Sequence, residues 1–229
     1  MTPTQRIFGK DSRITTPTYK EQAYHLIKEA ILYQKLEVGE VYSQESISNE
    51  LGISRTPTRE ALLELQREGY IQFNRGRGIT VVPISKEEGR SIMEMRINNE
   101  RFGARLAAKR ATQQEIRKAE EILKQMKKFE DSGDGERLYR LDCDFHNAVM
   151  AGSHNAWIYK TVGDLRDHFL RFEKKSAYDQ ESDAHDAVRE HEEIFDAIQS
   201  RDEERAGKAM EIHLIKAYTR TVKEYMEDL

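Results

Sequence analysis

The 229-residue chain has one cysteine, four prolines and one tryptophan. A lone Cys143 excludes an intramolecular disulfide framework and fits a reducing compartment. No apolar run reaches 18 residues and no leader-like stretch opens the chain. The expectation is a cytoplasmic protein with no membrane partner. A large net charge is also missing: 37 Lys/Arg against 41 Asp/Glu leaves −4. That balance excludes a protein that coats nucleic acid by bulk charge. Repeats and low-complexity tracts are absent, and strand signals are confined to two short runs before residue 84.

What charge there is divides unevenly. Residues 1–84 hold 11 basic and 10 acidic residues, and the stretch 54–77 holds five arginines against three glutamates. Residues 85–229 are net acidic. Residues 1–16 are polar with no helical period and read as a flexible arm that carries the cations Arg6, Lys10 and Arg13. Residues 17–84 and 85–229 read as two domains, the second joined through Pro83 and Ser85.

Residues 51–62, LGISRTPTREAL, are the densest signal. Arg55 and Arg59 lie one turn apart at a helix start, so their guanidinium groups share a face. Ser54 stands at the N-cap position, Thr56 and Thr58 add hydroxyls, and Pro57 suits a first turn. Two arginines alone also describe a solvated helix start, so the flanks decide. Tyr19–Leu36 reads as an amphipathic helix with Tyr24, Ile27, Ile31 and Leu32 inward. Gln44–Leu51 is a short helix capped by Ser43, and Gly52 permits the tight turn after it. The next helix runs to about Glu68, closed by Gly69. YIQF and GITVV follow as strands around the basic tip Asn74-Arg75-Gly76-Arg77-Gly78. Three helices and a basic hairpin make a winged helix-turn-helix, whose third helix enters the major groove.

At this point the chain resembles the GntR family of bacterial transcription regulators. LGISRTPTREALLELQREGY followed by RGRGITVV is similar to that family's recognition helix and wing. The resemblance implies DNA contacts from Arg55, Thr56, Arg59 and Gly78, with Ser54 and Arg77 as further candidates. It departs at Glu45, where many members carry a basic residue that touches the DNA backbone, so that contact is expected to be lost.

Past Ser85 strand signals vanish. Turn signals divide the rest into helices near 85–110, 112–131, 134–152, 154–176, 181–200 and 202–227, an antiparallel bundle. A break is expected near Lys175–Asp183, and Ser153 and Asp202 are possible caps. The fold class is therefore mainly α, a winged helix-turn-helix followed by an all-helical bundle. Asp142 and His146, spaced i, i+4, share a face. His191 and His213 each stand 11 residues from Asp202, at matching heights on an antiparallel pair. Three imidazoles and one carboxylate suit zinc first, or manganese or nickel, with coordination positions open. Cys143 reads as a small core residue facing elsewhere.

Residues 88–227 resemble the all-helical FCD effector domain of one GntR branch. Arg96 with Glu100, DCDFHNAVMAGSHN, EHEEIFDAI and MEIHL carry the likeness. In many members an Asp and three His at these motifs bind a metal, which implies Asp142, His146, His191 and His213. The effector there is commonly a small carboxylate or sugar acid. Arg96, Asn99 and Arg166 are the candidates to recognise it, Arg96 and Arg166 also being readable as structural ion-pair residues. The expected function is a homodimeric, ligand-responsive repressor of operator DNA and not an enzyme. The rivals are a metal-dependent enzyme fused to a DNA-binding head, with Glu190, Glu192 or Glu193 as base, and a regulator whose metal is only structural.

Overall fold

The chain begins its first helix where the sequence supplies a reciprocal cap. In this computed structural model, which describes residues 17–171 and 181–227, Thr18 accepts from the Glu21 N–H while Glu21 accepts from the Thr18 N–H. That pairing satisfies two otherwise orphaned donors. The arm residues Arg6, Lys10 and Arg13 lie outside the described residues, as does most of the segment near Lys175–Asp183.

Contacts divide the chain into two compact units, Met1–Val82 and Pro83–Leu229. In the first, α1 (Tyr19–Leu32) buries Ala23, Ile27 and Ile31. It ends four residues before the sequence pattern does. Gln34 turns into the left-handed region (φ 53°), and the Lys35 and Leu36 N–H groups both bond the Ala30 carbonyl. Leu36 still packs on the core, which is why the apolar period overran the helix. Next come β1 (Val41–Tyr42), α2 (Gln44–Leu51), α3 (Arg55–Arg67), β2 (Ile71–Asn74) and β3 (Gly78–Val81). The sheet order is β1-β3-β2, antiparallel throughout. Two residues are too few to show a period, so β1 had no signal in the sequence. Gly52 takes φ +66° between α2 and α3. Ile31, Leu62, Leu65, Tyr70, Ile71 and Ile79 form a core under the sheet. Each such side chain contributes about 1.5–3 kcal/mol by leaving water.

The second unit has six helices among its described residues: α4 (Lys86–Arg110), α5 (Gln113–Phe129), α6 (Gly135–Gly152), α7 (Ala156–Leu170), α8 (Glu181–Gln199) and α9 (Glu203–Glu227). Helix α4 packs against α6, α7, α8 and α9. At Gly103 a Cβ would stand 2.5 Å from Met150 Sδ, so α4 meets α6 closely there. Ser153 is not the cap of α7. Its hydroxyl donates to Met150 O at the end of α6, and Asn155 caps α7 through the Trp157 and Ile158 N–H groups. Asp202 does cap α9, accepting from the Arg205 N–H at 3.0 Å. No helix among the described residues is long and apolar enough to cross a membrane.

Candidate metal centre and nucleic-acid interface

Three helices converge on one point in the second unit. Asp142 and His146 come from α6, His191 from α8 and His213 from α9. All four are buried, the imidazoles at 0–2% exposure. One ligand atom from each lies within 4.8 Å of the others. The His191 and His213 rings meet with centroids 4.3 Å apart. Their equal distance from the α8–α9 turn gives them the same height.

Each imidazole is tied from outside through Nδ1. His146 Nδ1 meets Glu100 Oε2 at 2.5 Å, His213 Nδ1 meets Glu190 Oε2 at 2.9 Å, and His191 Nδ1 meets the Ala187 carbonyl at 2.6 Å. A carboxylate or carbonyl accepts, so Nδ1 carries the hydrogen and Nε2 a lone pair. The Nε2 atoms of His146 and His213 then face each other at 3.2 Å. His191 Nε2 lies 3.0 Å from Asp142 Oδ1, yet the approach is not that of a hydrogen bond, and among the described residues this buried nitrogen has no hydrogen-bond partner. Lone pairs aimed at a common point repel unless a cation stands between them. Ligand nitrogens at about 2.0–2.1 Å from one ion are spaced about 2.9–3.4 Å apart, which brackets the His146–His213 separation. The donor set therefore fits a divalent first-row metal, with the outward Nδ1 partners that such ligands carry.

The electrostatics agree. Burial, then the neighbouring His191, pushes the His213 pKa down to about 3, so its imidazole is neutral at pH 7. Glu190 falls to about 2: burial raises it, but His213 and Arg220 outweigh that. Arg220 forks onto both Glu190 oxygens at 3.1 and 3.0 Å.

Beside this cluster is a small cavity of about 20 Å³, lined by Arg96, Tyr139, Asp142, His146, Arg166, Phe169 and His213 among others. That is room for about one water-sized group. Arg96 and Arg166 thus both reach the cavity from separate helices. Each also has a structural partner: Arg96 Nε donates to Glu100 Oε1 at 2.9 Å, and Arg166 donates to Asn147 Oδ1 at 3.0 Å. Asn99 does not join them. It lies in a separate surface depression with Asn98, Arg101, Phe102 and Arg105, and its amide donates to Met95 O of its own helix. One position from Glu100 is a 100° rotation, enough to leave the buried face. Cys143 is half-buried rather than core, close enough to Arg166 to interact with its charge. The outward partners Glu100 and Glu190 had no assigned part in holding the site. Glu100 stood in the sequence four residues after Arg96, but nothing local says which histidine it meets.

In the first unit, Ser54, Arg55, Thr56 and Arg59 are exposed at the start of α3, and Arg75 and Arg77 at the hairpin tip. Ser54 occupies the N-cap position without a side-chain cap bond. Thr58 is fully buried and its hydroxyl donates to Ser54 O, so it offers nothing outward. The Arg59 guanidinium stands 5.9 Å from the Phe73 ring of β2, which links the helix start to the wing. Gly78 has a packing reason of its own: at φ +107°, a Cβ would sit 2.1 Å from Tyr42 O.

Comparison with known proteins finds the FCD domain over residues 91–216 and the bacterial regulatory proteins of the gntR family over residues 19–81. The HTH-type transcriptional repressor RspR of Escherichia coli K12 is 29% identical over 201 residues, covering 87% of each chain. The probable D-xylose utilization operon transcriptional repressor of Paenarthrobacter nicotinovorans is 27% identical, covering 90% of this chain and 89% of that one. Among solved structures, E. coli McbR/YncC matches with TM-score 0.84 at 18% identity, covering 92% of this chain and 100% of that one. A GntR regulator from Rhodococcus sp. RHA1 matches with TM-score 0.75, also at 18% identity, covering 89% and 97%. With both halves matched in the expected order, the chain belongs to the GntR family, in its FCD branch, and is a DNA-binding transcription regulator.

Proposed function

We propose that this regulator is a homodimeric repressor whose operator affinity is set by a metal-dependent pocket in its second unit. Asp142, His146, His191 and His213 hold a divalent ion, zinc first among the candidates. The observation that carries this reading is the orphaned His191 Nε2, buried among two other imidazole nitrogens and a carboxylate. A bound ion supplies Lewis acidity toward an oxygen ligand at an open position. Arg96 and Arg166 flank the same cavity and present charge to a small carboxylate or sugar acid. The cavity is too small for such a molecule unless the side chains at its rim move, and that movement gives the effector a preference between conformations. Exposed apolar side chains on α4 and α7, Met95, Phe102 and Trp157 at 50%, 50% and 80%, support a face for a second copy. In the first unit Arg55, Thr56 and Arg59 read the groove, with Ser54, Arg77 and Gly78 alongside.

Against the enzyme reading stand the surroundings of its three candidate bases. Glu190 is committed to His213 and Arg220, Glu192 pairs with Lys127, and Glu193 is exposed. Asp142 is the one carboxylate among the described residues that line the cavity.

The test is a thermal-shift screen of small carboxylates on metal-loaded protein, followed by DNA-binding titrations. A compound that raises the melting temperature and changes affinity for a selected duplex, with both effects reduced in Arg96→Ala, supports the reading. Turnover of the compound, or stabilisation without any change in DNA affinity, contradicts it.

A further inference from the structure

The DNA-facing arginine at the head of α3 is not free. Arg55 Nη2 lies 2.6 Å from Glu45 Oε1, and both side chains are about two-thirds exposed, at 66% and 63%. The residue before Glu45 acts on the same target: Gln44 Nε2 donates to Arg55 O at 3.0 Å. Two successive residues of α2 therefore hold one residue of α3, by its backbone and by its head group. Among the described residues no acid pairs with Arg59, one turn on, and its guanidinium leans toward Phe73 instead.

An exposed ion pair contributes about 0–1 kcal/mol to stability, so the consequence of this one is local. It decides where the guanidinium sits. An arginine has five N–H donors in a planar fork. One acceptor on Nη2 restrains the side chain and leaves other donors for a base edge. A carboxylate beside the groove also repels phosphates, so it lowers affinity for any duplex, whatever its sequence.

We propose that Glu45 is a specificity-determining positioning residue. It restrains Arg55 as a donor to a guanine edge in each half-site, and its charge penalises binding that rests on phosphates alone. The absence of a basic residue at this position then becomes a gain in discrimination rather than only a lost contact. This inference rests on the assignment of the α3 start to the major groove.

The experiment selects duplexes from a randomised pool with the full-length chain, then titrates the selected and a scrambled duplex between about 50 and 200 mM salt. Arg55→Ala, Glu45→Ala and Glu45→Gln are compared, each first checked for an unchanged melting temperature. Glu45→Ala is expected to bind the scrambled duplex about three-fold more tightly at the lower salt, with a salt slope steeper by about one. Its ratio of selected to scrambled affinity is expected to fall five-fold or more, the least that one well-placed bidentate base contact contributes. Glu45→Gln keeps an acceptor for Nη2 without the charge. It is expected to gain the scrambled-duplex affinity and retain more of the guanine preference than Glu45→Ala. An unchanged affinity ratio and selected motif in Glu45→Ala, with Arg55→Ala impaired, overturns the role of Glu45 alone. An Arg55→Ala chain that selects the same motif at the same affinity overturns the assignment of α3 itself, and Glu45 with it.

Discussion

Glu100 shows how a single residue joins two parts of the second unit. Its carboxylate takes Arg96 Nε on one oxygen and His146 Nδ1 on the other, at 0% exposure. An arginine that lines the cavity is thus one residue removed from the candidate ligand His146. Glu100→Gln is expected to lower zinc affinity about 10–100-fold, read by competition with a chromophoric chelator; an unchanged affinity separates Glu100 from the site. At this scale the sequence was informative where spacing is local. Asp142 and His146 are one turn apart, and His191 and His213 share a turn as their reference point. The partners of Nδ1 sit on α4, on α8 and on a backbone carbonyl. Those contacts depend on how helices rotate against each other, which a one-dimensional pattern does not encode. Asn99 was misplaced for the same reason, its neighbour Glu100 facing inward while it does not.

The elements themselves were set by short-range chemistry, and where that chemistry is explicit the sequence reads well. Helix α5 opens with Thr112 and Glu115 in a reciprocal cap, reinforced by His154 on the same carboxylate. The His154 bond and then the Thr112 backbone bond hold the Glu115 pKa below the ordinary carboxyl value of 4.5. A carboxyl lowered by folding adds stability that is complete above its unfolded value and is lost as pH falls through the lower folded one. Wild type is therefore expected to lose more melting temperature than Glu115→Gln on acidification below pH about 4.5; equal losses would show that the cap contributes nothing. The wing makes a sharper demand. Gly78→Ala must both strain a positive φ and displace the Tyr42 carbonyl, so β1 separates from β3. The expected cost is about 1–3 kcal/mol or more, seen in chemical denaturation of the first unit. A variant as stable as wild type would refute the close approach. The strand that makes this glycine necessary is two residues long, which is why the glycine was legible and its reason was not.

For the whole molecule, length, charge division and the loss of strand signals after residue 84 pointed to two units of different kinds. Each was recognisable from one dense motif set. What the pattern along the chain does not carry is the state of the centre that joins four side chains from three helices. An ion bound only by the folded chain stabilises it by mass action, about 2.7 kcal/mol at 100 times its Kd. Chelation is expected to lower the melting temperature of wild type and leave that of His191→Ala unmoved. An effector that ligates the same ion must change DNA affinity through a difference between two conformations, since equal affinity for both shifts nothing.

The most direct measurement is the metal content of the purified full-length chain, by elemental analysis after dialysis against zinc, manganese and nickel in turn. One tightly held ion per chain in wild type, and none in His191→Ala or His213→Ala, is the expected result. A wild-type chain that retains no metal, or a His213→Ala chain that retains a full equivalent, would contradict the account.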